Sequence, residues 1–163
     1  MEPGAALSAP AAISLGPRSA SVRATAAQLF KLAAQLEQRG NPKRAIAILA
    51  VLETDPNPDV RNEARYRQAL LMEADGRDQD AAVLLRQVLD DKPDAAAARL
   101  KLAAMLQKMG DEGAALRELR ALRTIDLPPT VARFVDRLSA SLQASNSRVT
   151  SCDDVEASII EPL

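Results

Sequence analysis

At 163 residues and 47% hydrophobic content, the chain is long enough for one domain with a core and too apolar to be disordered throughout. Its apolar residues are nearly all Ala, Leu and Val, with two Phe, one Tyr and no Trp, a composition that packs helices closely and builds sheets poorly. A formal net charge of −1, no histidine and a single cysteine exclude an overall field selecting nucleic acid, any histidine-based triad or zinc helix, and an intramolecular disulfide.

The chain opens with MEPGAALSAPAAISLGPRSASVR, which has no early positive charge and whose apolar run is broken by Pro10 and Gly16. Residues 1–21 therefore read as a flexible segment and a poor secretion signal, and no stretch of the chain is apolar enough to span a bilayer. Helices are expected near 22–39 and 42–54, then 60–75 and 78–91, then 95–109 and 112–125. Between the members of each pair stands a glycine, Gly40, Gly76 or Gly110, where a helix end needs a residue able to adopt positive φ. Asn41-Pro42, Asp78 and Asp111 offer capping oxygens for the second helices. Asp55-Pro56, Lys92-Pro93 and Leu127-Pro128 stop those helices, because proline cannot continue them.

A seventh helix follows over about 130–143. Val131, Phe134, Val135, Leu138 and Leu142 recur on one face while Arg133, Asp136 and Arg137 stay wet, the pattern of a terminal cap. Residues 145–163 show no sustained period and read as a disordered tail.

The three glycines are 36 and 34 residues apart, and each is followed five residues later by an alanine, Ala45, Ala81 or Ala115. Further columns keep their size class. Seven before the glycines stand Ala33, Ala69 and Ala103; four before, Leu36, Met72 and Leu106; nine after, Leu49, Leu85 and Leu119; twelve after, Leu52, Val88 and Leu122. Repeated packing layers require this conservation of size. The period, the Gly-to-Ala spacing and the closing proline resemble the tetratricopeptide repeat. The best unit is 62–95, with Ala69, Gly76, Ala81, Leu85 and Pro93 in the family's positions. The usual bulky aromatic near each repeat's start is replaced by Leu29, Arg65 and Arg99.

The expected fold is an all-α, tetratricopeptide-like helical solenoid of three helix pairs (24–57, 60–94 and 95–128) and a capping helix, together forming a domain over 22–144. A narrower likeness covers about residues 56–143. The run through LPPTVARFVDRL is similar to the N-terminal helical part of surface lipoprotein assembly modifiers. That resemblance implies a periplasmic repeat domain ahead of an outer-membrane β-barrel that helps export lipoproteins, hence association with such a barrel. Residues after 144 supply no ten-residue alternating strands, so the resemblance carries over the partner-binding module alone.

Enzyme constellations are scarce, with no phosphate-cradling glycine loop, and with Cys152 beside Asp153 and Asp154, which discourage its thiolate. No catalytic residue, metal or cofactor is expected. Partner-binding candidates lie on the first helix of each pair. Phe30, Tyr66 and Leu100 would grip apolar side chains of a protein or peptide, and Lys31, Arg67 and Lys101 would meet an acidic or C-terminal group. Glu37, Glu73 and Gln107 lie seven residues beyond the first column, on the same helical face. Stacked repeats would line these faces along the concave surface. The competing account makes the rings core and the charges a solvated face.

Arg117, Arg120, Arg123, Arg133 and Arg137 lack the aromatic companions of a nucleic-acid site. No nucleic-acid partner is expected; weak self-association through the cap helix, around Phe134 and Leu138, is. The expected function is a non-enzymatic protein-interaction module, periplasmic by resemblance, its rival a free-standing cytoplasmic adaptor or scaffold.

Overall fold

The computed structural model describes residues 24–157, with side chains over 24–144. Among them, α1 (Ala26–Gln38) and α2 (Pro42–Val51) form the first hairpin, α2 ending in a short 3₁₀ turn at Leu52–Thr54. Next come α3 (Pro58–Ala74) with α4 (Asp78–Asp91), α5 (Ala96–Lys108) with α6 (Glu112–Leu122), and α7 (Pro129–Ala157). Each helix packs on its hairpin partner and on the next helix in the chain, which makes a solenoid.

The corners are built alike. Gly40, Gly76 and Gly110 have φ of 72°, 78° and 83°. Their N–H groups donate to Glu37, Glu73 and Gln107, and the next residues, Asn41, Arg77 and Asp111, donate to Leu36, Met72 and Leu106 at 2.8–2.9 Å. This paired closure occupies carbonyls that a helix end otherwise leaves open. The carbonyls of Asn41, Arg77 and Asp111 then accept from Ala45, Ala81 and Ala115, so one residue both leaves the first helix and starts the second. With three residues at the turn, the hairpin helices pack closely, and all three alanines are fully buried.

Capping is less uniform than the sequence suggests. Thr25 and Gln28 cap α1 reciprocally, Asn57 accepts from the Asp59 N–H ahead of α3, and Asp111 accepts from the Ala114 N–H at 2.9 Å. Asn41 makes no side-chain cap, its amide donating to the Arg39 carbonyl. Asp78 is the first helical residue behind Arg77 and pairs with Lys108 at 2.8 Å instead.

Two boundaries also move. α6 ends at Leu122, well before Pro128, where Arg123, Thr124 and Ile125 bond back in tight turns. α7 starts as expected but runs to Ala157, so residues 145–157 are helical where a loose tail is expected. Neither glycine nor proline occurs between Thr130 and Glu161 to stop it. Residues 1–21 and 158–163 lie outside the described residues.

The core falls into two clusters. Ala33, Ala45, Leu49, Leu52, Ala64 and Leu71 form one, under the first hairpin. A larger one runs from Ala69 through α4, α5 and α6 to Val135 and Leu142 of α7. Helix α3 contributes to both.

Candidate protein-interaction surface

Side-chain contacts link candidate residues of α1 to α3 and of α3 to α5. Phe30, Tyr66 and Leu100 are all half-buried, each packed at its base against the core. The Arg67 guanidinium lies 4.9 Å from the centre of the Phe30 ring, a cation–π contact from the second repeat to the first. Its Nε also donates to Glu63 Oε1 at 2.6 Å, one turn earlier on α3.

Lys101 is treated likewise, its Nζ forming an ion pair with Glu73 of the preceding repeat at 2.5 Å. Of the three basic candidates, Lys31 alone forms no ion pair with a described residue, and it is exposed. Glu37 and Gln107 are exposed too. The surface is therefore less basic than the lysine and arginine column implies, because carboxylates of α3 answer two of its members.

A cleft of about 400 Å³ opens between α3 and α5. Tyr66, alanines 95–98, the buried Val88 and Asn62 line it, together with Asp59, Glu63 and Lys92. Asn62 and the alanines were not among the sequence candidates. The run PDAAAARL was visible, but four alanines in a row read as helix former until a facing helix shows which side they leave empty.

The positions of the missing aromatics hold structural ties. Arg65 Nη1 reaches Asp91 Oδ2 at 2.8 Å, and Arg99 Nη1 reaches Glu118 Oε2 at 2.7 Å, each joining the two helices of one hairpin. Arg99 Nη2 also donates to the Pro93 carbonyl at 2.7 Å. Of the arginines further along, Arg123 pairs with Asp136 at 2.9 Å, which ties α7 to the end of α6. Phe134 remains 47% exposed.

Among the described residues no group of three His, Cys, Asp or Glu side chains is placed to hold a metal ion, and no helix is long and apolar enough to cross a membrane. The ammonium of Lys108 is held above its ordinary range, chiefly by its hydrogen bond to Asp78, but this pair lies outside the candidate row.

Comparison with known proteins agrees with this fold. Residues 63–95 match the tetratricopeptide repeat. Surface lipoprotein assembly modifier 1 of Neisseria meningitidis serogroup B (strain MC58) is 34% identical over 80 residues, which is 49% of this chain and 16% of that protein. Among solved structures, the TPR2B domain of yeast Sti1, in its complex with pHsp70, aligns with a TM-score of 0.62 at 15% identity, over 74% of this chain and 97% of that one. A putative kinesin light chain of Podospora anserina aligns at 0.58 and 19% identity, over 82% and 75%. MamA of Desulfovibrio magneticus RS-1 aligns at 0.55 and 24%, over 60% and 54%. The chain therefore carries a tetratricopeptide repeat at residues 63–95 within a tetratricopeptide-like solenoid, the fold of a protein–protein interaction module, and is partly similar in sequence to a surface lipoprotein assembly modifier.

Proposed function

We propose that the chain acts without catalysis, binding an extended peptide or protein segment along the row formed by α1, α3 and α5. The observation that carries this reading is that Phe30, Tyr66 and Leu100, at the same position before the glycine in successive repeats, are all half-buried and so keep part of each side chain open. Rigid helices hold these anchors before the ligand arrives, which lowers the ordering cost of binding.

Glu63, Arg67, Glu73 and Lys101 form a pre-paired polar border, and Lys31 supplies an unopposed positive charge at the first repeat. Glu37 and Gln107 extend the row as hydrogen-bonding positions. The partial similarity to a lipoprotein assembly modifier supports a finer version, in which the module sits in the periplasm beside an outer-membrane barrel and holds a protein on its way to the cell surface.

The test is fluorescence anisotropy with peptides recovered from a random display library. Phe30→Ala is expected to weaken binding about tenfold, the loss typical of one anchor side chain, with the circular dichroism unchanged. Equal affinity for Phe30→Ala and for the triple variant Lys31→Ala/Arg67→Ala/Lys101→Ala would remove this surface as the site.

A further inference from the structure

We propose that the cleft between α3 and α5 is the specificity pocket of that surface. It takes one uncharged apolar side chain, from leucine to phenylalanine in size, whose peptide carbonyl is bonded by the Asn62 amide. The proposal rests on the reading of α1, α3 and α5 as the peptide-binding row.

Three observations converge on it. The volume of about 400 Å³ lies inside the range of roughly 300–1,000 Å³ common for sites that enclose a ligand group. Tyr66, Val88 and alanines 95–98 make up the apolar part of its lining, the rest being Asp59, Asn62, Glu63 and Lys92. The alanines are too short to fill it, so the bulk that would do so must come from outside.

Asn62 is only 8% exposed and borders the cleft. Its Oδ1 accepts from Arg65 Nη1 at 3.3 Å, whereas its Nδ2 donates to no described residue and keeps access to solvent. A donor that only water satisfies is free to meet a peptide carbonyl entering the cleft.

The charges at the cleft select against a charged side chain. Glu63 is held by Arg67 at 2.6 Å, and the exposed Asp59 has Lys92 3.9 Å away, so a cation stands near each carboxylate. An incoming ammonium or carboxylate would lose favourable hydration and meet a carboxylate or ammonium already paired, whereas removal of an apolar side chain from water is itself favourable. The pocket therefore discriminates by shape, and the basic residue without a partner, Lys31, lies one repeat away on α1.

Peptides selected from a random display library on the whole protein provide the test, read by anisotropy and by amide NMR. The expected result is one fixed Leu, Ile, Met or Phe position, whose replacement by Lys weakens binding at least about tenfold. Ala97→Leu, which extends an exposed residue into the cleft, is expected to weaken it as much with the helical content unchanged, and the Asn62 side-chain amide signals are expected to shift on binding.

Peptides that lose affinity with Phe30→Ala but not with Ala97→Leu would overturn the pocket and keep the binding surface. Selection of a fixed acidic or C-terminal carboxylate group with no shift at Asn62 would do the same. Recovery of no peptide, or of peptides indifferent to both variants, would overturn pocket and surface together.

Discussion

Gly110 and Gly113 stand three residues apart, yet alanine should act on them in opposite directions. At Gly110 an added Cβ would meet nothing within 4 Å, so the cost is purely conformational: φ is +83°. A left-handed conformation costs a non-glycine residue roughly 1–2 kcal/mol, offset by about 0.4–1 kcal/mol from the stiffer unfolded chain. Gly110→Ala should destabilise by about 1 kcal/mol. Gly113 sits inside α6, outside the left-handed region, and its Cβ would touch Arg117 and Asp111 at the ordinary distances of 3.8 and 3.9 Å. There alanine should stabilise by about 0.5–1 kcal/mol. Urea titrations of the two variants check this, and a stabilised Gly110→Ala would refute the corner. Lys108 makes a second prediction at this scale. Its hydrogen bond to Asp78 is the largest cause of a pKa raised above 10.5. A raised folded value means a contribution complete below the ordinary lysine range and lost as pH climbs through the raised one. The melting-temperature gap between the wild type and Lys108→Gln should therefore hold steady up to about pH 9.5 and close above the ordinary lysine value.

The helices themselves show what local pattern encodes and what it omits. The corners were legible because positive φ, the capping hydrogen bonds and the buried alanine all fall within six residues of one glycine. The end of α7 was not, since a missing apolar period does not stop a helix that meets neither glycine nor proline. The arginines in place of the aromatics were visible as departures, but their partners were hidden. Asp91 lies fifteen residues after Gly76 and Glu118 only eight after Gly110, so no shared column joins them. The Arg99–Glu118 pair is mostly buried, with side chains 15% and 24% exposed, and lies between the exposed and fully buried cases. Glu118→Leu should cost about 2 kcal/mol by leaving the guanidinium without its counter-charge. The double variant Arg99→Met/Glu118→Leu should recover most of that loss, because two apolar side chains can pack where the pair stood. Thermal melts of the three proteins give the comparison, and a double variant worse than the single would contradict it.

Across the whole molecule, stacking decides what the columns do. The row of Phe30, Tyr66 and Leu100 could be read from spacing, but Arg67 reaches Phe30, and Lys101 reaches Glu73, only after one repeat has rotated over the previous one. The cleft beside Tyr66 likewise exists only between two repeats. The same stacking distributes stability unevenly. The first hairpin keeps its own small core of Ala33, Ala45, Leu49 and Leu52, closed by Ala64 and Leu71 of α3. The larger cluster joins α4, α5, α6 and α7 without a break. Between the first two repeats lies the Asp55-Pro56-Asn57-Pro58 segment, and across that seam Gln68, 2% exposed, donates to Glu53 at 2.7 Å. In a solenoid each repeat is stabilised mainly by its neighbours, and the first hairpin has its packed neighbour on one side among the described residues. Native-state hydrogen exchange should therefore show α1 and α2 opening at lower free energy than α4, α5 and α6, with α3 intermediate because it belongs to both clusters. Gln68→Leu should widen that gap, since Glu53 loses its hydrogen-bond partner at a half-buried site. Equal protection in all three hairpins would mean that the two clusters act as one cooperative unit. A ligand spanning Phe30 and the Tyr66 cleft would bridge the seam, so its binding should raise protection most in α1 and α2.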